Sequence, residues 1–233
     1  MNISVIIPSY NEEDNLRILL PGLNEILSSL QIEFELLVID ALMSEDDSEQ
    51  VCQKNNAKYI RQKTTGYADA FRTGTELSRF ESILVVDADN SQDISKIPEM
   101  YNALLNGADV VIGSRYTDGG TTDDPPVSVF MSKLLNYTYR ILLGFKEKDV
   151  STDFRLYRKE LLNGIVTECS NFDVIEETLF YLKNQNKSLK IVEVPINYRQ
   201  RAEGVSKRKL FKFICDYIRL LFRLFHLRIT KKG

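Results

Sequence analysis

Short apolar runs that end in a polar or acidic residue recur along the 233-residue chain, and they constrain its fold more than any other feature. They span 3–7, 34–40, 83–87, 109–112 and 189–194, and each has the length of one strand. Between them lie stretches with apolar residues at helical spacing, as in Leu16, Leu19, Leu20, Leu23, Ile26 and Leu27. Strands that are apolar on both faces and alternate with helices predict an α/β fold with a doubly wound, mostly parallel sheet. In such a sheet the site lies beyond the carboxyl ends of the strands.

The distinctive polar residues fall at those ends. Ser9-Tyr10-Asn11-Glu12 follows the first run, Asp40 closes the second, and Asp87-Ala88-Asp89 closes a later one. Two carboxylates one residue apart repel unless a cation lies between them, and Mg²⁺ or Mn²⁺ takes such oxygen ligands together with substrate phosphates. Taken alone, the pair reads more readily as a solvated strand end leading to a helix capped by Ser91 or Asp93. The stretch 116–126, rich in Gly, Thr, Asp and Pro, predicts a mobile surface loop, and a helical pattern follows over 129–143.

Several classes of chemistry lack their machinery. There is no Gly-x-x-x-x-Gly-Lys phosphate cradle and no Gly-x-Gly-x-x-Gly turn. His226 is the only histidine and lies in the basic tail, which argues against a histidine-dependent triad. Cys52, Cys169 and Cys215 show no metal or disulfide spacing, pointing to a reducing, cytosolic setting. Neither a secretory leader nor an apolar run long enough to span a bilayer is visible, so membrane contact is expected to be peripheral.

Charge is unevenly placed. Residues 207–232 hold nine Lys or Arg and one acid, Asp216, against 21 basic and 32 acidic residues elsewhere. Leu210, Phe211, Phe213, Ile214, Tyr217, Ile218, Leu221, Phe222, Leu224 and Phe225 form a broad apolar face with Arg208, Lys212, Arg219 and Arg223 near one stripe. That pattern predicts a basic amphipathic helix lying on an anionic membrane; the alternative is a helix packed on the core. The acidic body opposes nucleic acid as a partner. The expected division is a domain over 1–204 and a helix and tail over 205–233.

Several motifs occur together and in order: Val5-Ile6-Ile7-Pro8-Ser9-Tyr10-Asn11-Glu12, Asp87-Ala88-Asp89, Gly113-Ser114-Arg115-Tyr116 with Gly119-Gly120, Phe154-Arg155-Leu156-Tyr157, and Glu193-Val194-Pro195-Ile196 leading to Arg201-Ala202-Glu203-Gly204-Val205-Ser206-Lys207. Together they resemble the inverting family 2 glycosyltransferases, especially those that make dolichol-phosphate and other polyprenyl-phosphate sugars. The resemblance implies a GT-A fold, a nucleoside-diphosphate sugar donor, Mg²⁺ or Mn²⁺, and inversion at the anomeric carbon.

Carried over by position, Pro8, Tyr10, Glu12 and Asp40 form the nucleoside pocket, with Asp40 accepting from the base. Asp87 faces ribose or metal, Asp89 ligates the metal, and Arg115 and Arg201 bind phosphates. A polyprenyl phosphate acceptor calls for cationic guidance from Arg115, Arg155, Arg201 and Lys207. A hydroxyl of a lipid-linked or capsular glycan would instead need a base, for which Asp173, Glu176 and Glu177 are candidates. A non-catalytic binding or assembly subunit is the third reading.

The chain also departs from the family pattern. Ala41-Leu42-Met43 follows Asp40 where paired aspartates are usual, Ser91 stands where glutamine is common, and Asp153 where a glycine is usual.

Overall fold

The computed structural model describes residues 1–200 and 210–230, the latter with side chains from residue 216 onward. The apolar runs become β1 (Ile3–Ser9), β2 (Phe34–Asp40), β4 (Ser82–Val85), β5 (Val110–Ser114) and β8 (Ile191–Pro195). To these the structure adds β3 (Lys58–Arg61), whose polar ends hid it, and β7 (Arg155–Arg158). The sheet order is β3-β2-β1-β4-β7-β5-β8, parallel except for β7, which runs antiparallel between β4 and β5.

Alternation along each strand divides the core in two. Ile3, Val5 and Ile7 of β1, with Leu36 and Val38 of β2, face α1 (Glu13–Ser29), α2 (Ser48–Lys54) and α4 (Ile97–Leu105). Ile6, Leu37 and Ile39 face α3 (Tyr67–Leu77), α5 (Pro126–Leu143), α7 (Val174–Gln185) and α8 (Leu210–Thr230). The short α6 (Lys159–Leu162) follows β7. Burial of strand residues on both faces is what a parallel sheet covered by helices requires.

Two expectations change. The stretch 116–126 contains β6 (Thr121–Thr122), which pairs with β9 (Asn197–Tyr198) in a two-stranded sheet, so part of the expected loop is tied down. The tail does not stand apart from the domain either: Tyr217, Leu220 and Leu224 of α8 are buried in the core. Arg223 reinforces this by pairing with the fully buried Glu177 at 2.5 Å and with Glu168 at 2.5 Å. The expected boundary at 204 and 205 lies outside the described residues.

The opposite stripe of α8 is exposed through Ile218, Phe222 and Ile229, and α5 alongside it exposes Val127, Phe130, Met131, Leu134, Tyr137 and Ile141. The two helices are joined by Arg228, which donates to the Leu142 carbonyl at 2.6 Å. Among the described residues no helix is long and apolar enough to cross a membrane.

Candidate active site

The strand order reverses at β1, which lies between β2 and β4, and the crevice beyond the carboxyl ends of β1 and β4 is where such sheets bind ligands. A cavity of about 530 Å³ opens there. Pro8, Ser9, Tyr10 and Glu12 line it from the end of β1, and Asp87, Ala88 and Asp89 from the end of β4. Ala41, Leu42, Met43 and Gln62 form the side beside β2 and β3, while Gly66 and Tyr67 form the start of α3. Asn171, Phe172 and Asp173 before α7, with Asp216 and Tyr217 of α8, complete the wall.

Local interactions fix these groups. Glu12 accepts from Asn15 Nδ2 at 2.6 Å, and Asn11 adopts a positive φ of 50° while its side chain accepts from the Ser44 hydroxyl and the Glu45 N–H. Gly66 has φ 108°, and a Cβ there would strike the Ser170 carbonyl, so only glycine lets α3 start this close to the loop before α7. Tyr67 stacks on Phe172 with ring centroids 4.3 Å apart.

Asp87 and Asp89 are 8% and 6% exposed and border the same cavity. Asp89 Oδ1 accepts from the Ser91 hydroxyl at 2.5 Å and from the Ser91 N–H at 3.1 Å, which orients its carboxylate. Two carboxylates at a water-accessible cavity, that of Asp89 held by Ser91, fit a Mg²⁺ or Mn²⁺ ion that takes its remaining ligands from substrate phosphates and water. Among the described residues there is no cluster of three or more His, Cys, Asp or Glu able to hold a metal unaided.

Four expected site residues lie elsewhere. Asp40 is fully buried beneath the cavity, where Oδ2 accepts from the Tyr59 hydroxyl at 2.8 Å; Ala41, Leu42 and Met43 line the wall in its place. Arg115 is engaged by the buried Asp149 through two bonds of 2.8 Å, and its guanidinium lies over the Tyr116 and Tyr198 rings. Burial opposes ionisation of Asp149, but Arg115 holds its carboxyl below the usual range. This pair braces the end of β5 instead of facing the cavity.

Arg155 is fully buried and donates to the carbonyls of Thr152, Val150 and Ile175, at 2.8, 2.5 and 3.1 Å. Its charge serves the backbone before β7 and at the start of α7. Glu176 is also fully buried, with Arg155 and Tyr217 as polar neighbours, and burial pushes its carboxyl up to about 8. A group so enclosed cannot take a proton from an acceptor in the cavity. Of the three acids weighed as bases, Asp173 alone lines the cavity, and burial raises its pKa.

Arg201 and Lys207 lie outside the described residues. Sequence assigns none of Tyr67, Phe172, Asp216 and Tyr217 to the site, and it puts Tyr217 on the apolar face of the tail. The first begins a helix that otherwise reads as core-facing, and the last two lie in a segment whose apolar periodicity masks their approach to the crevice.

The profile described as Glycosyl transferase family 2 matches residues 4–166. Dolichol-phosphate mannosyltransferase of Pyrococcus furiosus is 34% identical over 96% of this chain, which spans 64% of that protein's length. Polyprenol monophosphomannose synthase of Mycolicibacterium smegmatis is 30% identical, with 87% of this chain and 79% of that one covered. Among solved structures, glucosyl-3-phosphoglycerate synthase from Mycobacterium tuberculosis, crystallised with Mn²⁺, uridine diphosphate and phosphoglyceric acid, superposes with a TM-score of 0.74. Identity to it is 19%, over 96% of this chain and 78% of that one, a likeness of fold.

Proposed function

The chain belongs to glycosyl transferase family 2, and from that premise we propose that it moves a sugar from a nucleoside-diphosphate donor to a polyprenyl phosphate, with inversion, at the cytoplasmic face of a membrane. One observation carries this reading: α8 contributes Asp216 and Tyr217 to the cavity that holds Asp87 and Asp89, and the same helix, with α5, exposes an apolar stripe. Exposed Lys133 and Arg140 on α5 and Arg219 on α8 suit an anionic surface. A lipid resting on that stripe would have its phosphate within reach of the crevice.

Asp87 and Asp89 would hold the divalent cation, which supplies charge stabilisation to the departing diphosphate. Pro8, Tyr10 and Glu12 would seat the nucleoside. A lipid phosphate is already ionised near neutral pH, so its oxygen attacks without a base, in keeping with the burial of Glu176 and Glu177. With Arg115 and Arg155 occupied internally, Arg201 and Lys207 are the cations proposed to guide the acceptor phosphate.

The position of Asp173 in the wall favours one second reading, in which it serves as base for a glycan hydroxyl. Labelled nucleotide sugars incubated with Mn²⁺ and anionic vesicles containing polyprenyl phosphate separate the two. The proposal expects metal-dependent label in the lipid phase, little changed by Asp173→Asn. Label only on added glycan, abolished by Asp173→Asn, would establish the second reading instead.

A further inference from the structure

Beneath the cavity lies a carboxylate for which the proposed chemistry has no use. Asp153 is 8% exposed, and both of its oxygens accept hydrogen bonds: Oδ1 from Gln92 Nε2 at 2.7 Å and Oδ2 from the Tyr67 hydroxyl at 2.9 Å. Gln92 is 5% exposed, and its Oε1 accepts from the backbone N–H of Asp87 at 3.0 Å. One acid thus terminates two short chains of hydrogen bonds. The first ends on the backbone of the acidic turn, the second on a tyrosine in the cavity wall.

The polarity of the first chain is fixed. The Asp87 N–H can only donate, so Gln92 must present its oxygen there and its amide N–H₂ to residue 153, which must therefore accept. Glycine, usual at position 153 in the family pattern, has no side chain to do so. Nor does a glutamine occupy position 91, where Ser91 binds Asp89 instead. The glutamine stands at 92 and turns inward, where its amide donates to Asp153, itself a departure from the pattern.

We propose that Asp153 is a positioning residue that, through Gln92, holds the Asp87–Asp89 turn in the geometry that accepts the divalent cation. The inference rests on the reading of that turn as the metal site. Carboxylate ligands depend on the groups that orient them, and loss of such a partner typically costs about ten- to a hundredfold in metal affinity. The Asp153–Tyr67 bond fixes the opposite end of the carboxylate, so that Oδ1 stays directed at Gln92.

The test is Mn²⁺ binding followed by electron paramagnetic resonance, with GDP and with UDP in separate arms and no acceptor, so that nothing turns over. Thermal melts show which variants fold. Asp153→Ala should weaken Mn²⁺ binding about tenfold or more. Gln92→Glu should do the same, because it keeps the acceptor for Asp87 but sets one carboxylate against another. Asp153→Asn should restore affinity close to that of the wild type, since its amide oxygen can serve Gln92 while its N–H₂ donates to a rotated Tyr67 hydroxyl. Gln92→Ala alone should weaken binding to a similar extent, and the double variant Asp153→Ala with Gln92→Ala should bind no more weakly than either of those two single ones, as expected of residues in one chain.

Wild-type affinity in folded Asp153→Ala or in Gln92→Glu overturns the proposal, as does simple addition of the two single losses. If Asp153→Ala does not fold, Gln92→Glu decides alone. Asp89→Asn separates the two levels of the argument. Mn²⁺ bound to it as tightly as to the wild type removes the metal site itself, whereas weak binding there beside wild-type binding in Asp153→Ala rejects only the positioning role.

Discussion

Replacing Glu176 by glutamine should leave the fold intact and make the protein progressively more stable than the wild type as pH rises. The carboxyl is fully enclosed, and burial pushes it from its ordinary value of 4.5 up to about 8, with Arg155 opposing the rise. In the unfolded chain it ionises near the ordinary value. Between these two values the folded state holds a proton that the unfolded state has released, so unfolding becomes easier with each unit of pH. The contribution is complete below about pH 4.5 and is lost as pH rises towards 8. One unit is worth about 1.4 kcal/mol, and the loss from pH 5 to pH 8 is on the order of 3 kcal/mol for this group alone. Glutamine keeps the shape and cannot ionise. Urea unfolding of both proteins at pH 5, 6.5 and 8 should therefore show a stability difference that grows by that amount in favour of the variant. A constant difference across the range would refute the assignment of Glu176 as a buried neutral acid, and a large loss of transfer in the folded variant would restore it as a base.

Asp89→Asn should reduce transfer by about a hundredfold or more while the melting temperature holds, because a hard-cation site depends on carboxylate charge; a transfer assay across Mn²⁺ concentrations checks it. Arg223→Ala should cost about 3 kcal/mol in urea unfolding, since it leaves the buried Glu177 without its cation. Phe130→Glu and Phe222→Glu, which alter side chains 64% and 69% exposed, should each weaken sedimentation with anionic vesicles without lowering the melting temperature. Loss of folding in either would show that the stripe is core.

The parts of the fold legible from the chain are those where burial on both faces writes a continuous apolar run, as in β1, β2 and β4. Lys58-Tyr59-Ile60-Arg61 lies at the sheet edge with both ends polar, so β3 left no such run. Arg155-Leu156-Tyr157-Arg158 reads as a motif, not a strand, and its insertion between β4 and β5 depends on pairing far along the chain.

The site divides for a similar reason. Pro8, Tyr10, Glu12, Asp87 and Asp89 directly follow strands at the point where strand order reverses, so local pattern finds them. Arg115, Arg155 and Glu176 are charged residues near the right places, but sequence does not reveal that Asp149 and backbone carbonyls already engage the two arginines, or that helix packing encloses the acid. Asp216 and Tyr217 reach the crevice from the last described helix, which periodicity alone assigns to a surface or a core with no sign of the cavity between them.

The chemical bond formed tests the central claim most directly. Product made from a nucleotide sugar, Mn²⁺ and a short-chain polyprenyl phosphate, isolated and analysed by ³¹P and ¹H nuclear magnetic resonance, should carry the sugar on the phosphate oxygen. Its anomeric configuration should be opposite to that of the donor. A sugar found on a glycan hydroxyl, or on phosphate with the donor's configuration retained, would contradict the account.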